Sequence, residues 1–337
     1  MLLFPDNFLF LCYTAIMKNE KIYYSVGALL YCPANKQSLS ESIINEKFGK
    51  KYSLALCLED SINDNFVEEA EHQLINSVKQ IYKALSERQF YIPKIFIRVR
   101  NHGQISKLYS SFDDEKELIT GFIVPKFSID NSDDYIQAVS RINENSLKKV
   151  FLMPIYESSS IIDLRTRFGT LYTLKEKLSQ IEDLVLNIRV GGNDLCHNFG
   201  FRRHSDESIH RIKPISDIFS DIVTVYGTDY VISGPVWEYY SGSNWETGLI
   251  QEIKDDQLCG FTGKTVIHPN QIAVVNEAYK VCKSDYEDAK SILNWNCKTD
   301  DYVLGSKSKE RMNEYKTHTN WAQKILFLAE EFGVQTF

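Results

Sequence analysis

Short apolar segments alternate with longer, polar, helix-like segments along most of this chain. From residue 23 onward, eight apolar segments recur roughly 25 to 45 residues apart, which is the rhythm of strand–helix units. They cover residues 25–32, 52–58, 95–99, 121–124, 149–155, 186–190, 229–232 and 265–267. Continuous apolar runs are typical of strands that are buried on both faces of a parallel sheet. Eight such units in about 250 residues predict a (β/α)8 barrel, the TIM-barrel fold.

A doubly wound open sheet is the alternative arrangement of the same units. It usually has fewer strands and a glycine-rich first turn, and no G-x-G-x-x-G sequence follows the first predicted strand. The barrel is therefore favoured, as one domain over residues 22–276. Residues 277–337 are predicted to form a C-terminal helical extension, whose Trp321, Ile325, Leu328 and Ala329 make one apolar face. We expect this face to pack on the barrel or on a partner subunit.

Residues 1–21 precede the first strand–helix unit. They are predicted to be a loosely packed N-terminal extension; the alternative is that the natural start is Met17 and that the given start lies upstream of it. Residues 8–17 are apolar, but spanning a bilayer takes about 20 residues. The start of the chain lacks the basic residues of a secretory signal and carries Asp6 instead. We therefore expect no association with a membrane.

Composition argues against several classes of protein. With 43% hydrophobic and 25% charged residues, the 337-residue chain has an ordinary globular composition. A net charge of −7 and the lack of a basic stripe argue against nucleic-acid binding, which depends on a positive field. Seven cysteines without a C-x-x-C pair argue against a disulfide or zinc framework and favour a reducing, cytoplasmic setting.

Two acidic residues, Glu157 and Asp194, follow the fifth and sixth predicted strands. In parallel α/β proteins, functional side chains gather at the carboxyl ends of the strands. Two carboxylates there can hold a hard divalent cation such as Mg²⁺. Gly191 and Gly192 leave backbone room for a ligand beside Asp194. The alternative is that both acids cap the helices that follow them.

Further charged residues recur at the same rim. Glu59 and Asp60 follow the second strand, where one acid could act as a general base or order a metal-bound water while the other fixes a basic residue. Arg98 ends the third strand, and its guanidinium could bind a carboxylate or enolate oxygen with two hydrogen bonds. Arg100 has the same strand parity, so it remains an alternative to Arg98. Lys126, after the fourth strand, could add positive charge for an anionic substrate or be a solvated rim lysine.

Other motifs are interpreted as structural. Residues 263–265 (GKT) resemble the end of a phosphate-binding loop, but the glycine required upstream is Leu258 and a strand follows instead of a helix. Cys196, His197 and His204 lie near Asp194, yet their spacing matches no zinc pattern. Gly-Pro at 234–235 and His-Pro at 268–269 are interpreted as turns at the barrel rim.

Taken in order, the rim segments resemble those of the HpcH/HpaI aldolase–citrate lyase β-subunit family. The resemblance covers about residues 27–276. Its family motifs are L-F-V-P-A/G-N, L-E-D-A, R-V-N, L-P-K, I-E-T/S, G-x-E-D-L and G-F-x-G-K…I-H-P-x-Q-I. The matching segments are residues 29–35 (LLYCPAN), 58–61 (LEDS), 98–99 (RV), 124–126 (VPK), 155–158 (IYES), 191–195 (GGNDL), 260–264 (GFTGK) and 267–272 (IHPNQI). Residues 311–314 (RMNE) and the tail around them are similar to a divergent branch, the citrate-lyase-like proteins of tellurite-type stress-resistance clusters.

The resemblance implies a TIM barrel that catalyses Mg²⁺-dependent aldol or Claisen cleavage of a small oxo- or hydroxy-acid, with or without a CoA thioester. It implies Mg²⁺ ligation by Glu157 and Asp194, substrate binding by Arg98, and a supporting acidic pair in Glu59 and Asp60. It also implies a homo-oligomer, a trimer or a hexamer.

Five positions depart from the family pattern. The chain has Gly27-Ala28 in place of Arg-Ser, and Cys57, Asn193 and Ser233 in place of acids. These departures motivate a second hypothesis from another class, a barrel that binds an anionic metabolite as a sensor or scaffold without turning it over.

Overall fold

The computed structural model describes residues 18–295 and 302–335. The strands in these residues are β1 (Ala28–Pro33), β2 (Ser53–Cys57), β3 (Lys94–Arg98), β4 (Ile119–Val124), β5 (Phe151–Tyr156), β6 (Ile188–Val190), β7 (Ile232–Val236), β8 (Lys264–Val266), β9 (Val303–Gly305) and β10 (Met312–Glu314). The α-helices are α1 (Leu39–Ile44), α2 (Val67–Leu85), α3 (His102–Ser110), α4 (Ile129–Glu144), α5 (Arg167–Ser179), α6 (Gly192–Phe199), α7 (Lys213–Tyr226), α8 (Trp245–Leu258), α9 (Asn270–Ala278), α10 (Lys283–Leu293) and α11 (Tyr315–Phe332).

Strands β1 to β8 form a closed parallel barrel in chain order. Each strand pairs with the next, and β8 closes the ring by pairing with β1, with Ala28 opposite Lys264. Every residue of β2, β4 and β5 is buried, as expected of strands covered by side chains inside the barrel and by helices outside it. The predicted TIM barrel is confirmed.

The helices that surround the barrel have amphipathic sequences. In α2, Ala70, Leu74, Val78 and Ile81 recur at the three-to-four-residue spacing of one helix face, and all four are buried. The barrel buries such apolar stripes, and this burial stabilises helices whose intrinsic propensity alone is modest.

Two predicted strands, the first and the seventh, begin three residues before the observed ones. β1 begins at Ala28 and not at residue 25, because a 3₁₀ helix at Lys21–Tyr24 and the positive φ of Gly27 delay the extended backbone. β7 begins at Ile232 and continues through the Gly-Pro pair that the sequence predicted to be a turn. Pro235 is tolerated there because the pairing with β8 shifts register between Gly234 and Val236. At this bulge no ladder hydrogen bond is needed from residue 235, which as a proline has no N–H.

The C-terminal helical extension is also confirmed, with an additional antiparallel hairpin formed by β9 and β10. Its last helix, α11, packs at the amino-terminal end of β1. Phe327 stacks on Tyr24 with 5.3 Å between ring centroids, and Phe332 lies 5.2 Å from Tyr279. Leu328 and Ala329 of the predicted apolar face are buried, and Trp321 and Ile325 are partly buried. The face therefore packs within the chain.

The predictions for residues 1–17, including the apolar segment and the start at Met17, lie outside the described residues. Within residues 18–295 and 302–335, no helix combines the length and the apolar character needed to cross a bilayer.

Candidate active site

The carboxyl ends of the barrel strands surround a cavity of about 240 Å³. Four of the predicted site residues line it: Asp60, Arg98, Glu157 and Asp194. The other two, Glu59 and Lys126, contact residues of this set directly. The structure therefore brings all six predicted residues together at the rim where barrels concentrate functional side chains.

Glu157 follows β5 directly and is 4% exposed. Its Oε1 atom accepts a hydrogen bond from the backbone N–H of Lys126 at 3.0 Å and lies 3.5 Å from Nη2 of Arg98. Burial raises the pKa of the Glu157 carboxyl to about 8, and the negative charges of Asp194 and Glu59 add to this rise, although Arg98 opposes it. A cation bound next to the Glu157 carboxyl would therefore stabilise its ionised form.

Asp194 lies in the first turn of α6, and not at the end of the strand as the sequence pattern indicated, because β6 ends at Val190. The N-cap of α6 is Gly191, and no side chain caps that helix. After Glu157, the N-cap of the next 3₁₀ helix is Ser158. Neither acid therefore acts as the cap that was the alternative interpretation.

Gly191 makes the approach of these two segments possible. A Cβ atom at this position would lie 2.1 Å from Oε2 and 2.3 Å from Cβ of Glu157. Because the clash involves the Cβ of Glu157 as well as its carboxylate, a rotation of the carboxylate alone would not relieve it. Gly191 was predicted to leave backbone room for a ligand, and the space beside it is occupied by the side chain of Glu157.

Arg98 is 6% exposed and lies among three carboxylates. Its Nη2 atom is 2.6 Å from Glu59, 2.9 Å from Asp60 and 3.5 Å from Glu157. Burial lowers the pKa of Arg98, but neighbouring acidic groups, Glu157 and Glu59 among them, outweigh burial and hold that pKa above its ordinary value. The guanidinium is therefore a fixed positive charge at the cavity wall.

Lys126 connects the acidic pair to Glu157. Its ammonium lies 2.7 Å from Glu59 and 3.4 Å from Asp60, while its backbone N–H binds Glu157. The hydrogen bond to Glu59 raises the pKa of Lys126, so the half-exposed side chain stays charged. The backbone of Lys126 adopts φ +49°, a left-handed conformation uncommon for residues other than glycine. Such strained backbone clusters at functional sites.

Arg100, the alternative to Arg98, has a different role. Its Nε atom donates to the carbonyl of Leu58 at 2.7 Å, and Nη1 pairs with Asp64 at 2.5 Å. Nη2 also donates to the carbonyls of Glu59 and Ile62. Arg100 thus fixes the backbone of the loop that carries the acidic pair, and of these two arginines Arg98 is the one that lines the cavity.

Arg189 lines the same cavity and was not predicted. It lies in β6, is 1% exposed, and donates from Nη2 to Thr265 Oγ1 at 2.5 Å. An arginine inside an apolar strand segment was the available signal, the same one that identified Arg98.

A second set of buried charges was also missed. Lys264 is fully buried in β8, and its ammonium lies 2.8 Å from Glu252 and 2.7 Å from Asp256 of α8. Arg203 pairs with Glu252 at 3.1 Å, and His210 lies 2.7 Å from Asp256. These contacts join α8 to the barrel wall, so the lysine of residues 263–265 binds protein carboxylates and not a phosphate.

Glu157 and Asp194 would form only part of a metal site. In the part of the chain that the structure describes, no three His, Cys, Asp or Glu side chains converge as a complete ligand set. Mg²⁺ commonly binds proteins through one or two carboxylates and completes its octahedron with water and substrate oxygens. Glu157 and Asp194 provide hard oxygen donors, and a cation would relieve the repulsion between their charges. This donor set fits Mg²⁺.

We expect Gly191→Ala to destabilise the fold by about 1–3 kcal/mol, because the new methyl group must displace Glu157 from its buried position. Gly169→Ala is the matched control: Gly169 lies in α5, and an added Cβ meets nothing within 4 Å. The control should gain about 0.5–1 kcal/mol from helix propensity. Urea unfolding of both variants measures the difference, and equal effects would show that Gly191 is not constrained by Glu157.

Comparisons with known proteins identify the family of this chain. Residues 20–334 match the family model described as the carbon–carbon bond lyases of the TIM-barrel fold. The chain belongs to this family, and its enzyme class is that of the carbon–carbon lyases.

The chain is similar to solved structures of CitE and of a citrate lyase and, over a short segment, to a citramalyl-CoA lyase. The Mycobacterium tuberculosis protein CitE, solved with magnesium, acetoacetate and coenzyme A, superposes with a TM-score of 0.60 at 16% identity, covering 92% of this chain and 100% of that one. A citrate lyase from Burkholderia xenovorans gives a TM-score of 0.67 at 12% identity and covers 92% and 93%. Mouse mitochondrial citramalyl-CoA lyase is 42% identical over 48 residues, which is 14% of each chain. The matched segment thus spans about a seventh of that relative's length.

Proposed function

We propose that this enzyme is a Mg²⁺-dependent carbon–carbon lyase that cleaves or forms a bond next to a carbonyl group in a small oxo- or hydroxy-acid, or in its CoA thioester. The observation that carries the proposal is the convergence of Glu157, Asp194 and Arg98 on one small cavity at the carboxyl end of the barrel. The magnesium, acetoacetate and coenzyme A in the complex of the M. tuberculosis protein support the choice of metal and of ligand class.

In this proposal Glu157 and Asp194 hold Mg²⁺. When bound, the ion would supply Lewis-acid stabilisation of the negative charge that develops on the carbonyl oxygen during carbon–carbon cleavage. Arg98 adds a second fixed positive charge at the cavity wall and binds a carboxylate or enolate oxygen of the substrate. Because Arg98 is already oriented by three carboxylates, little reorganisation accompanies the reaction.

Glu59 and Asp60 are proposed to position the two cations of the rim. Both oxygens of Glu59 are engaged, one with Lys126 and the other with Arg98 and the backbone N–H of Asp60. Asp60 is half exposed and lines the cavity, so its carboxylate is open to substrate. Lys126 extends the positive charge toward solvent, where it would contact the outer part of an anionic substrate.

A cleavage screen tests this function. The purified protein is incubated with oxo-acids, hydroxy-acids and their CoA thioesters, with Mg²⁺ or with EDTA, and carbon–carbon cleavage products are measured by mass spectrometry. We expect one compound class to be cleaved with Mg²⁺ and not with EDTA. Tight binding of these compounds without any cleavage or condensation would favour the sensor hypothesis instead.

The pKa of Glu157 gives a pH dependence of metal binding. Because burial raises this pKa to about 8 in the metal-free protein, a proton must leave before the carboxylate can bind Mg²⁺ at lower pH. We expect the Mg²⁺ affinity to fall by roughly tenfold per pH unit below that value, measured by calorimetry between pH 6 and pH 8.5. Binding that does not change over this range would contradict the role of Glu157 as a ligand.

Several predictions from the sequence stay predictions. These are the homo-oligomeric state (trimer or hexamer), the cytoplasmic location, and the division of the chain at residues 21–22 and 276–277.

A further inference from the structure

Arg189 stands out among the buried arginines of the described chain. Arg98 has Glu59, Asp60 and Glu157 as partners, Arg167 pairs with Asp221 at 2.8 Å, and Arg203 pairs with Glu252. Within residues 18–295 and 302–335, Arg189 has no carboxylate within 4.0 Å. Its Nη1 atom also has no hydrogen-bond partner in that part of the chain.

The neighbours of Arg189 do not supply the missing negative charge. Thr265 accepts a hydrogen bond but is neutral. Tyr31 interacts with both Arg189 and Arg98, but burial raises the pKa of its phenol, so this side chain stays neutral at physiological pH. A guanidinium that is 1% exposed and has no counter-ion is costly to keep in a protein interior.

The position of Arg189 indicates what would neutralise it. The side chain lines the same cavity as Arg98, Glu157 and Asp194. An anionic group of a ligand that enters this cavity would pair with Arg189 and complete its hydrogen bonds. At about 240 Å³ the cavity is smaller than the pockets of about 300–1,000 Å³ that hold drug-sized ligands, so the molecule that reaches Arg189 must be short.

We propose that Arg189 is a specificity-determining residue that binds a second carboxylate of the substrate, so that the preferred substrate is a short dicarboxylic oxo- or hydroxy-acid unit. This inference rests on the proposed function, because it takes the cavity to be the substrate site. One carboxylate or carbonyl group of the substrate faces Arg98 and the two acids, and the other carboxylate pairs with Arg189.

Binding of simple acids tests the proposal without requiring the natural substrate. The probes are malonate and succinate, which carry two carboxylates, and propionate, which carries one. Affinities for the full-length protein are measured by calorimetry, with and without Mg²⁺. We expect at least one dicarboxylate to bind at least ~10-fold more tightly than propionate, because a charge-assisted bond to a buried guanidinium is strong.

Two variants assign that preference to Arg189. Arg189→Met keeps an unbranched apolar side chain without the guanidinium charge and should reduce the dicarboxylate preference to within about 2-fold. Arg189→Lys keeps a charge without the planar fork and should retain part of the preference. If Arg189→Met does not fold, a drop of at least about 5-fold in the preference of Arg189→Lys supports the proposal. The Mg²⁺ affinity of the folded variants should stay within about 2-fold of the unchanged protein, since Arg189 is not a proposed ligand.

Equal affinity for malonate, succinate and propionate in the unchanged protein would overturn the proposal, as would an unchanged preference in the folded variants. Binding of inorganic phosphate without binding of either dicarboxylate would overturn the assignment to a carboxylate. Failure of the proposed function has a different signature, which is a protein that binds no Mg²⁺. Even in that case, the preference for malonate or succinate over propionate, measured without Mg²⁺, would still test the role of Arg189.

Discussion

Replacing either Glu157 or Asp194 by alanine is expected to weaken Mg²⁺ binding by at least ~100-fold. Each replacement removes one of only two protein carboxylates in the donor set, and even residues that merely orient metal ligands commonly change affinity by about 10–100-fold. Calorimetric titration of the purified variants measures the loss. Mg²⁺-dependent cleavage should disappear in both, because the charge that develops on the substrate would lose its main stabilisation.

Two controls separate loss of a ligand from loss of the fold. Asp206→Ala removes an exposed acid from the loop that follows α6 and should leave Mg²⁺ affinity unchanged. Glu157→Gln keeps the shape of the side chain and an acceptor for the Lys126 backbone N–H, so it should fold and still bind Mg²⁺ poorly. Mg²⁺ binding that survives in Glu157→Ala and in Asp194→Ala would remove the basis of the proposed metal site.

Replacing Arg98 by methionine is expected to lower the free energy of unfolding by about 3–5 kcal/mol. The change removes a buried guanidinium and leaves Glu59 and Glu157, which are 8% and 4% exposed, without their shared cation. Although Lys126 still pairs with Glu59, its own side chain is half exposed and so compensates only in part. Urea unfolding of this variant and of the double variant is measured at pH 9, because the Glu157 carboxyl, whose pKa burial raises to about 8, is ionised there in the parent protein.

A double variant assigns this effect to charge. Arg98→Met combined with Glu157→Gln should recover about 1–2 kcal/mol, because one of the two uncompensated carboxylates is removed as well. Arg165→Met is the matched control for loss of an arginine, since Arg165 pairs with Asp163 at an exposed position and its removal should cause no measurable change. A loss below about 1 kcal/mol in Arg98→Met would show that the rim charges are solvated and not mutually dependent.

The barrel could be predicted from sequence because strands buried on both faces are continuous apolar segments, and helices between them keep a regular spacing. The limits of individual strands were less predictable. β7 runs through Gly234 and Pro235, and only its pairing with β8 shows that a bulge absorbs the proline. β6 is three residues long, so Asp194 lies in a helix although its apolar context resembled a strand end.

The rim residues could be predicted because a charged residue that follows a buried apolar strand is expected at the mouth of the barrel, where it can remain solvated or bind a ligand. Which carboxylates pair with which cations depends on distances across the barrel, and the sequence does not contain these. Arg98 and Glu157 lie 59 positions apart in the chain, yet their side chains are 3.5 Å apart. The buried partners of Lys264 were missed because Glu252 and Asp256 lie on a helix, where acids are usually solvated.

Two of the residues that depart from the family pattern, Cys57 and Asn193, lie at the candidate site. Cys57 is buried at the end of β2 and is paired in register with Arg98. Ser233 is fully buried, and its hydroxyl donates to the carbonyl of Thr262 at 2.8 Å. Asn193 lines the cavity beside Asp194. Each of these three is a neutral residue at a position where the resemblance to the HpcH/HpaI aldolase–citrate lyase β-subunit family implies an acid.

The most direct test of the central claim is a crystal structure of the protein soaked with Mn²⁺ as a substitute for Mg²⁺, recorded with anomalous scattering. The proposed site predicts one strong anomalous peak within bonding distance of carboxylate oxygens of both Glu157 and Asp194, with water completing the coordination. A peak bound elsewhere on the protein, or no peak at a Mn²⁺ concentration that saturates binding in solution, would contradict it.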